Sequence, residues 1–210
     1  MEPNFWHQLW KNNETGFQQN AANSLLVDEF KKLSLAETAR VFVFLCGKTR
    51  DISWLLGQGY CVVGVELSIL AVEDLFVDLG VTPSISTVAG LQHFKAPNID
   101  TFAGDIFDLQ QRYLGPVDAI YDRAAVVALP AELRGRYAQH VAHISLESLQ
   151  FVICFEYDQT LMQGPHFSID RLELIRIYGE RYQIQPLALR SLDGGLMGRV
   201  PTQEFVWLLK

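Results

Sequence analysis

Two stretches decide the fold: Arg40-Val41-Phe42-Val43-Phe44-Leu45, running into Cys46-Gly47-Lys48, and Tyr60-Cys61-Val62-Val63-Gly64-Val65-Glu66. Each is a short, unbroken apolar run rich in β-branched and aromatic residues. Such a run suits a strand covered on both faces, as in a parallel sheet. Residues 50–56 between them read as a helix, closed by Gly57-Gln58-Gly59. A second helix is expected over 68–79, with Gly80 as its stop. Strand, helix, strand, helix is the pattern of a right-handed βαβ unit.

Toward the amino terminus, Trp6, Leu9 and Trp10 fall at helical spacing and share a face. Another helix is expected over 20–33. Toward the carboxyl terminus, strands are expected over 99–103, 117–121 and 150–157, a helix over 130–144 with Pro130 at its first turn, and a helix over 169–178. Two closing strands are expected over 181–189 and 204–209. Residues 82–97 are polar and mixed and fit no element. These readings give a doubly wound α/β sheet of seven strands, in which ligands bind beyond the carboxyl ends of the strands. Leu45 to Lys48, Glu66, Asp105 with Ile106, and Asp122 with Arg123 all stand at such ends.

The chain of 210 residues suits one substantial domain and is short for two. With 49% hydrophobic and 20% charged residues it can bury a core. Its 24 acidic against 17 Lys and Arg residues argue against a nucleic-acid partner, which needs a basic face, and against an anionic membrane surface. No apolar run approaches the ~20 residues that span a bilayer. The start of the chain lacks the basic and apolar regions of a signal peptide, so a cytoplasmic protein is expected. Cys46, Cys61 and Cys154 are odd in number and widely spaced, which suits reduced thiols and no metal site.

The loop after the first strand contains Gly47-Lys48-Thr49, but a phosphate-binding loop needs a glycine where Phe42 stands. Without it the wide nest of backbone N–H groups for a β-phosphate is missing. The paired glycines of a dinucleotide loop are missing too, which leaves a smaller nucleoside-type cofactor. Glu66 is the sharper signal. It ends the second strand, and a carboxylate there accepts hydrogen bonds from ribose hydroxyls. Asp105 follows the third strand in the same way, although capping of the next helix explains it nearly as well.

Several blocks carry a family likeness: the stretch from Trp6 to Phe17, Phe44-Leu45-Cys46-Gly47-Lys48, Val62 to Ser68, Asp105 to Leu109, Tyr121 to Leu129, and Gly164-Pro165-His166-Phe167. Together, in order and spacing over essentially the whole chain, they resemble thiopurine S-methyltransferases. The resemblance implies a single Rossmann-like, class I methyltransferase domain over 1–210, mostly parallel, with residues 1–39 as a helical cap. It implies S-adenosylmethionine as cofactor, S-adenosylhomocysteine as product, and methyl transfer to a small, aromatic thiol or to a selenium or tellurium compound.

Carried over by position, the family's cofactor contacts fall on Trp6, Trp10, Leu45, Glu66, Ile106 beside Asp105, and Arg123, with Gly47 next to Leu45. Phe17 matches an aromatic that faces the acceptor, Arg123 serves both sides, and Arg199 aligns loosely with an acceptor-side arginine. The chain departs from the family pattern at Phe44, Ala124 and His166, and these departures bear on the choice of acceptor. A monomer acting on a small molecule is the expectation. A small-molecule O- or N-methyltransferase and a non-catalytic S-adenosylmethionine-binding protein are the alternatives.

Overall fold

The structure, a computed structural model, describes residues 3–14, 19–123 and 125–210. They form two compact units, one running to Ala119 and one from Ile120 to Lys210.

In the first unit α1 (Pro3–Lys11) and α2 (Ser24–Glu29) precede β1 (Arg40–Phe44). The helix expected over 20–33 starts later than the pattern suggests. Asn23 accepts hydrogen bonds from the N–H groups of Leu25 and Leu26, at 2.9 and 3.4 Å, and so fixes the start as an N-cap. After Glu29 the chain tightens into a 3₁₀ turn, Phe30–Leu33. Then follow α3 (Arg50–Gly57), β2 (Cys61–Glu66) and α4 (Ile69–Leu79), which ends at Gly80 as the sequence indicates. Strand β1 pairs parallel with β2, and Val41, Phe42, Val43 and Phe44 are all buried. That burial on both faces is what the unbroken apolar run signals.

The unplaced segment 82–97 is a β-hairpin, β3 (Ser84–Val88) and β4 (Leu91–Ala96), followed by β5 (Ile99–Ala103). Strand β4 pairs antiparallel with β5, while β5 pairs parallel with β2. The order within this unit is β3-β4-β5-β2-β1. Phe94 of β4 stacks on Phe76 of α4 with ring centroids 5.9 Å apart. Helix α5 (Gln111–Leu114) completes the unit.

The second unit holds β6 (Ala119–Arg123, whose first residue closes the first unit), α6 (Ala131–Ser145), β7 (Leu149–Glu156), α7 (Arg171–Tyr178), β8 (Ile184–Ser191) and β9 (Gln203–Leu209). Its order is β6-β7-β9-β8, with β9 antiparallel to both neighbours. The strand expected over 117–121 lies two residues later, which places Asp122 and Arg123 inside its end. Among the described residues nine strands thus replace the seven expected, and they are mixed in direction rather than mostly parallel. Among the described residues no helix is long and apolar enough to cross a membrane.

The hairpin explains why it escaped the periodicity. Strand β3 is exposed along most of its length, and β4 buries Leu91 and Phe94, three residues apart, so neither alternates with period two. The two-residue turn places both Ala89 and Gly90 at positive φ, 51° and 86°. The primed hairpin turns demand that backbone, and asparagine or glycine normally supplies it. Alanine in the left-handed region is strained by about 1 kcal/mol. Replacing Ala89→Asn is expected to raise the melting temperature by about 2 °C in a thermal scan. A fall would show that the turn adopts another geometry.

Candidate functional site

In the first unit the carboxyl ends of three neighbouring parallel strands, β5, β2 and β1, gather five of the sequence-predicted residues. β1 ends at Phe44, and the chain leaves it through Leu45 (φ 41°) and Gly47 (φ 49°). Glycine meets that backbone without a Cβ clash. The Gly47 N–H then points at Glu66 and donates to its Oε2 at 2.9 Å. The Ser68 N–H donates to Oε1, also at 2.9 Å. One carboxylate therefore ties the loop after β1 to the loop after β2. Glu66 is 5% exposed, and burial pushes its carboxyl above the usual range while the N–H groups of Ser68, Gly47 and Leu67 pull it back.

Beside it, Ala103 pairs with Glu66, and the Gly104 N–H donates to the Glu66 carbonyl at 2.8 Å. Asp105 is exposed, and its Oδ1 accepts from the Phe107 N–H at 2.9 Å, capping the 3₁₀ turn Ile106–Asp108. The capping role weighed in the sequence is thus present. Ile106 is buried next to it. Lys48 is drawn to Asp74 of α4, Nζ to Oδ2 2.9 Å. That pairing leaves the Gly-Lys-Thr triplet without the phosphate-reaching lysine its letters suggest.

Cys46 lies under the same loop. Gly64 of β2 makes room for it, because a Cβ added there would stand 3.1 Å from the Cys46 sulfur. Burial first, and the Glu66 charge second, push the Cys46 thiol well above its ordinary range, so it keeps its proton. On α1, Trp6 is half-buried and Trp10 buried, and the helix packs against α4. Phe17 lies outside the described residues.

In the second unit Arg123 is half-buried at the end of β6. Its neighbour Asp122, which the sequence also places at this strand end, is fully buried. Its Oδ1 accepts from the N–H groups of Ala125 and Val126 at 3.2 and 3.3 Å, and its Oδ2 from the Tyr137 hydroxyl at 3.0 Å. The segment leaving Arg123 is pinned by this carboxylate. A charged residue beside Arg123 was visible in the sequence, but its tyrosine partner is fifteen residues away and carries no motif. His166 is held at about 4, by burial first and by the positive charge of Arg123 second, so its imidazole is neutral.

The loop carrying His166 is cross-braced. The Tyr157 hydroxyl donates to the His166 carbonyl, and Gln159 donates to the Tyr157 hydroxyl at 3.0 Å. The Ser168 N–H donates to Gln159 Oε1 at 2.8 Å. Arg199 stands exposed on a tight turn closed by the Leu196–Val200 bridge.

The family model described as thiopurine S-methyltransferase matches residues 1–198. The chain belongs to the thiopurine S-methyltransferase family. A protein named thiopurine S-methyltransferase from Xanthobacter autotrophicus is 49% identical over all of this chain and 99% of that one. One from Teredinibacter turnerae is 46% identical, over all of this chain and 97% of its own. Among solved structures, a SAM-dependent methyltransferase from Anabaena variabilis superposes with a TM-score of 0.67 at 14% identity, covering 99% of this chain and 94% of that one. The Burkholderia thailandensis 1,6-didemethyltoxoflavin-N1-methyltransferase, with S-adenosylhomocysteine bound, gives 0.61 at 14% identity, over 99% of this chain and 87% of its own. The methyltransferase fold follows from these likenesses. The chain is an enzyme of this family, and its methyl donor is S-adenosylmethionine.

Asp122 yields a measurable consequence. Burial, opposed by the Tyr137, Val126 and Ala125 donors, pushes its carboxyl up to about 6 from an ordinary 3.8. A carboxyl with a raised folded value binds its proton more tightly folded than unfolded. Its contribution to stability is full below 3.8 and is lost as pH rises through about 6. The Asp122 side-chain carbon is expected to titrate near 6 by NMR. Wild type should also lose about 2 kcal/mol more stability than Asp122→Asn between pH 4 and 7. A midpoint near 4 contradicts the assignment.

Proposed function

We propose that the enzyme methylates the sulfur of a small aromatic thiol, with Glu66 and the loops beside it holding the methyl donor. The observation that carries the cofactor half is the Glu66 carboxylate. An ionised carboxylate offers about four acceptor positions. The backbone donors of Gly47, Ser68 and Leu67 fix its orientation and leave capacity for a ribose hydroxyl. The donor set therefore fits an adenosine moiety. In this reading Glu66 holds the ribose, Leu45 and Gly47 let the backbone approach the methionine portion, and Asp105 with Ile106 flanks the adenine. Trp6, Trp10 and Phe17 belong to a cap that excludes water.

When bound, S-adenosylmethionine supplies a sulfonium methyl group with a good leaving group. The chain's task is orientation, which alone can be worth several kcal/mol, about 7 or more in well-aligned systems. Arg123 favours an anionic acceptor electrostatically, and Arg199 is a weaker candidate for the same role. The thiolate is the competent nucleophile, and aromatic thiols ionise readily, so a dedicated base is optional. The neutral imidazole of His166, electrically coupled to Arg123, belongs to the same side. The relatives' name, thiopurine S-methyltransferase, supports a sulfur acceptor on a heteroaromatic ring.

Isothermal titration of the purified enzyme with S-adenosylhomocysteine is expected to show binding, weakened at least ~10-fold in Glu66→Ala, the worth of a charge-assisted hydrogen bond. Labelled-methyl assays on matched thiol, phenol and amine acceptors should give turnover on the thiol, reduced ~10²-fold in Arg123→Ala. Turnover on oxygen or nitrogen alone would overturn the sulfur assignment, and binding without turnover on any acceptor would favour a non-catalytic role. Equal binding by Glu66→Ala would remove the ribose role.

A further inference from the structure

Arg134, in the first turn of α6, is a charged residue only 6% exposed. A buried guanidinium is costly unless it is paired and hydrogen-bonded. Here three separate pieces of chain meet it. Its Nε donates to the Leu129 carbonyl at 2.9 Å, at the end of the segment that leaves Arg123. Its terminal nitrogen donates to Glu173 Oε1 of α7 at 2.9 Å. Its guanidinium carbon lies 5.3 Å from the centre of the Phe167 ring, in the loop that carries His166. The Phe167 N–H closes the arrangement by donating to the Val127 carbonyl at 2.6 Å.

A plain ion pair between α6 and α7 would need only the Glu173 contact, and exposed Arg176 already shares that carboxylate at 2.6 Å. The contacts to Leu129 and Phe167 go further. They link the segment after Arg123 to the loop 164–168. A cavity of about 520 Å³ is bordered by Arg134, Tyr157, Gln159 and Ser168, the last of them in that loop. Polar ties hold the loop together with packing of the His166 ring, 5.9 Å from that of Phe155. The planar guanidinium can donate in two directions and stack on a ring at once, which a lysine ammonium cannot.

We propose that Arg134 is the positioning residue of the acceptor side, holding the His166–Phe167 segment in register with the segment that carries Arg123. The assignment rests on the reading of Arg123 and His166 as acceptor-side groups. It makes Arg134 a determinant of how well the acceptor is bound, without contact with the reacting atoms.

The test is Arg134→Lys in the full chain, read three ways. Acceptor KM is expected to rise ~10-fold with kcat within ~3-fold, since misplacement of a binding loop costs that order. Affinity for S-adenosylhomocysteine should stay within about twofold of wild type, because the Glu66 contacts are untouched. Hydrogen exchange at the Phe167 amide should speed up ~10-fold or more as the loop loosens. Should Arg134→Lys fail to fold, Phe167→Leu, which keeps apolar volume and removes the ring face, is expected to shift the same acceptor term in the same direction. The proposal is overturned if kcat, acceptor KM and S-adenosylhomocysteine affinity worsen together, or if the Phe167 amide exchanges as in wild type. The exchange arm needs no turnover. A wild type that methylates no thiol would defeat the acceptor reading while the amide still decides whether Arg134 holds the loop.

Discussion

One buried carboxylate sets the geometry of the first unit. Glu66 ends β2, and its two oxygens take the N–H groups of Gly47 and Ser68. Burying an ionised group costs several kcal/mol unless donors replace the lost water. These donors come from the two loops on either side, so the carboxylate can be buried only if the loops adopt this arrangement. The dependence runs both ways. The Gly47 turn, at positive φ, is the conformation that aims its N–H inward, and Gly64 vacates the space into which the Cys46 side chain drops. A side chain at position 64 would push Cys46 and with it the loop after β1.

The second unit repeats the device with different parts. Asp122 is buried, and its donors are two backbone N–H groups that follow Arg123 and one hydroxyl from α6. Here burial outweighs the donors, and the carboxyl rises to about 6. With two backbone N–H groups and the Tyr137 hydroxyl donating to it, Asp122 fixes the chain that follows Arg123. In both units a carboxylate at a strand end organises backbone.

What could be read in advance follows from this physics. β1 and β2 were legible because burial on both faces leaves an unbroken apolar run. Glu66 was legible because it is the one charge that interrupts such a run at its end. The hairpin 84–96 was not, since β3 is largely exposed and Ala89 occupies a turn position that normally announces itself with asparagine or glycine. The start of α2 was missed because Asn23 acts through a side-chain hydrogen bond rather than through periodicity. Asp122 with Tyr137, and Arg134 with Phe167, were invisible for a shared reason. Each pair joins residues far apart in sequence, and only the folded chain shows that the partners meet. Leu45, Gly47, Asp105 and Ile106 were placed by the rule that ligands sit beyond the carboxyl ends of parallel strands, and the structure brings them to three adjacent ends.

The protonation states bear on how transfer proceeds. Cys46 is the protein thiol closest to the loop of Leu45 and Gly47, and a double displacement through it would require a thiolate. Burial and the Glu66 charge both oppose that ion. Cys154 is likewise buried, with burial and the Asp122 charge raising it. His166, held at about 4, is too weak a base to take a proton from an ordinary thiol. The chain therefore offers neither an activated nucleophile nor a strong base among these groups. What it does offer is fixed backbone donors around Glu66 and one guanidinium charge at the end of β6. Under the proposed function, in which the acceptor arrives already ionised, direct single-step transfer asks for no base from the protein, and selectivity rests on the fit and charge of the acceptor.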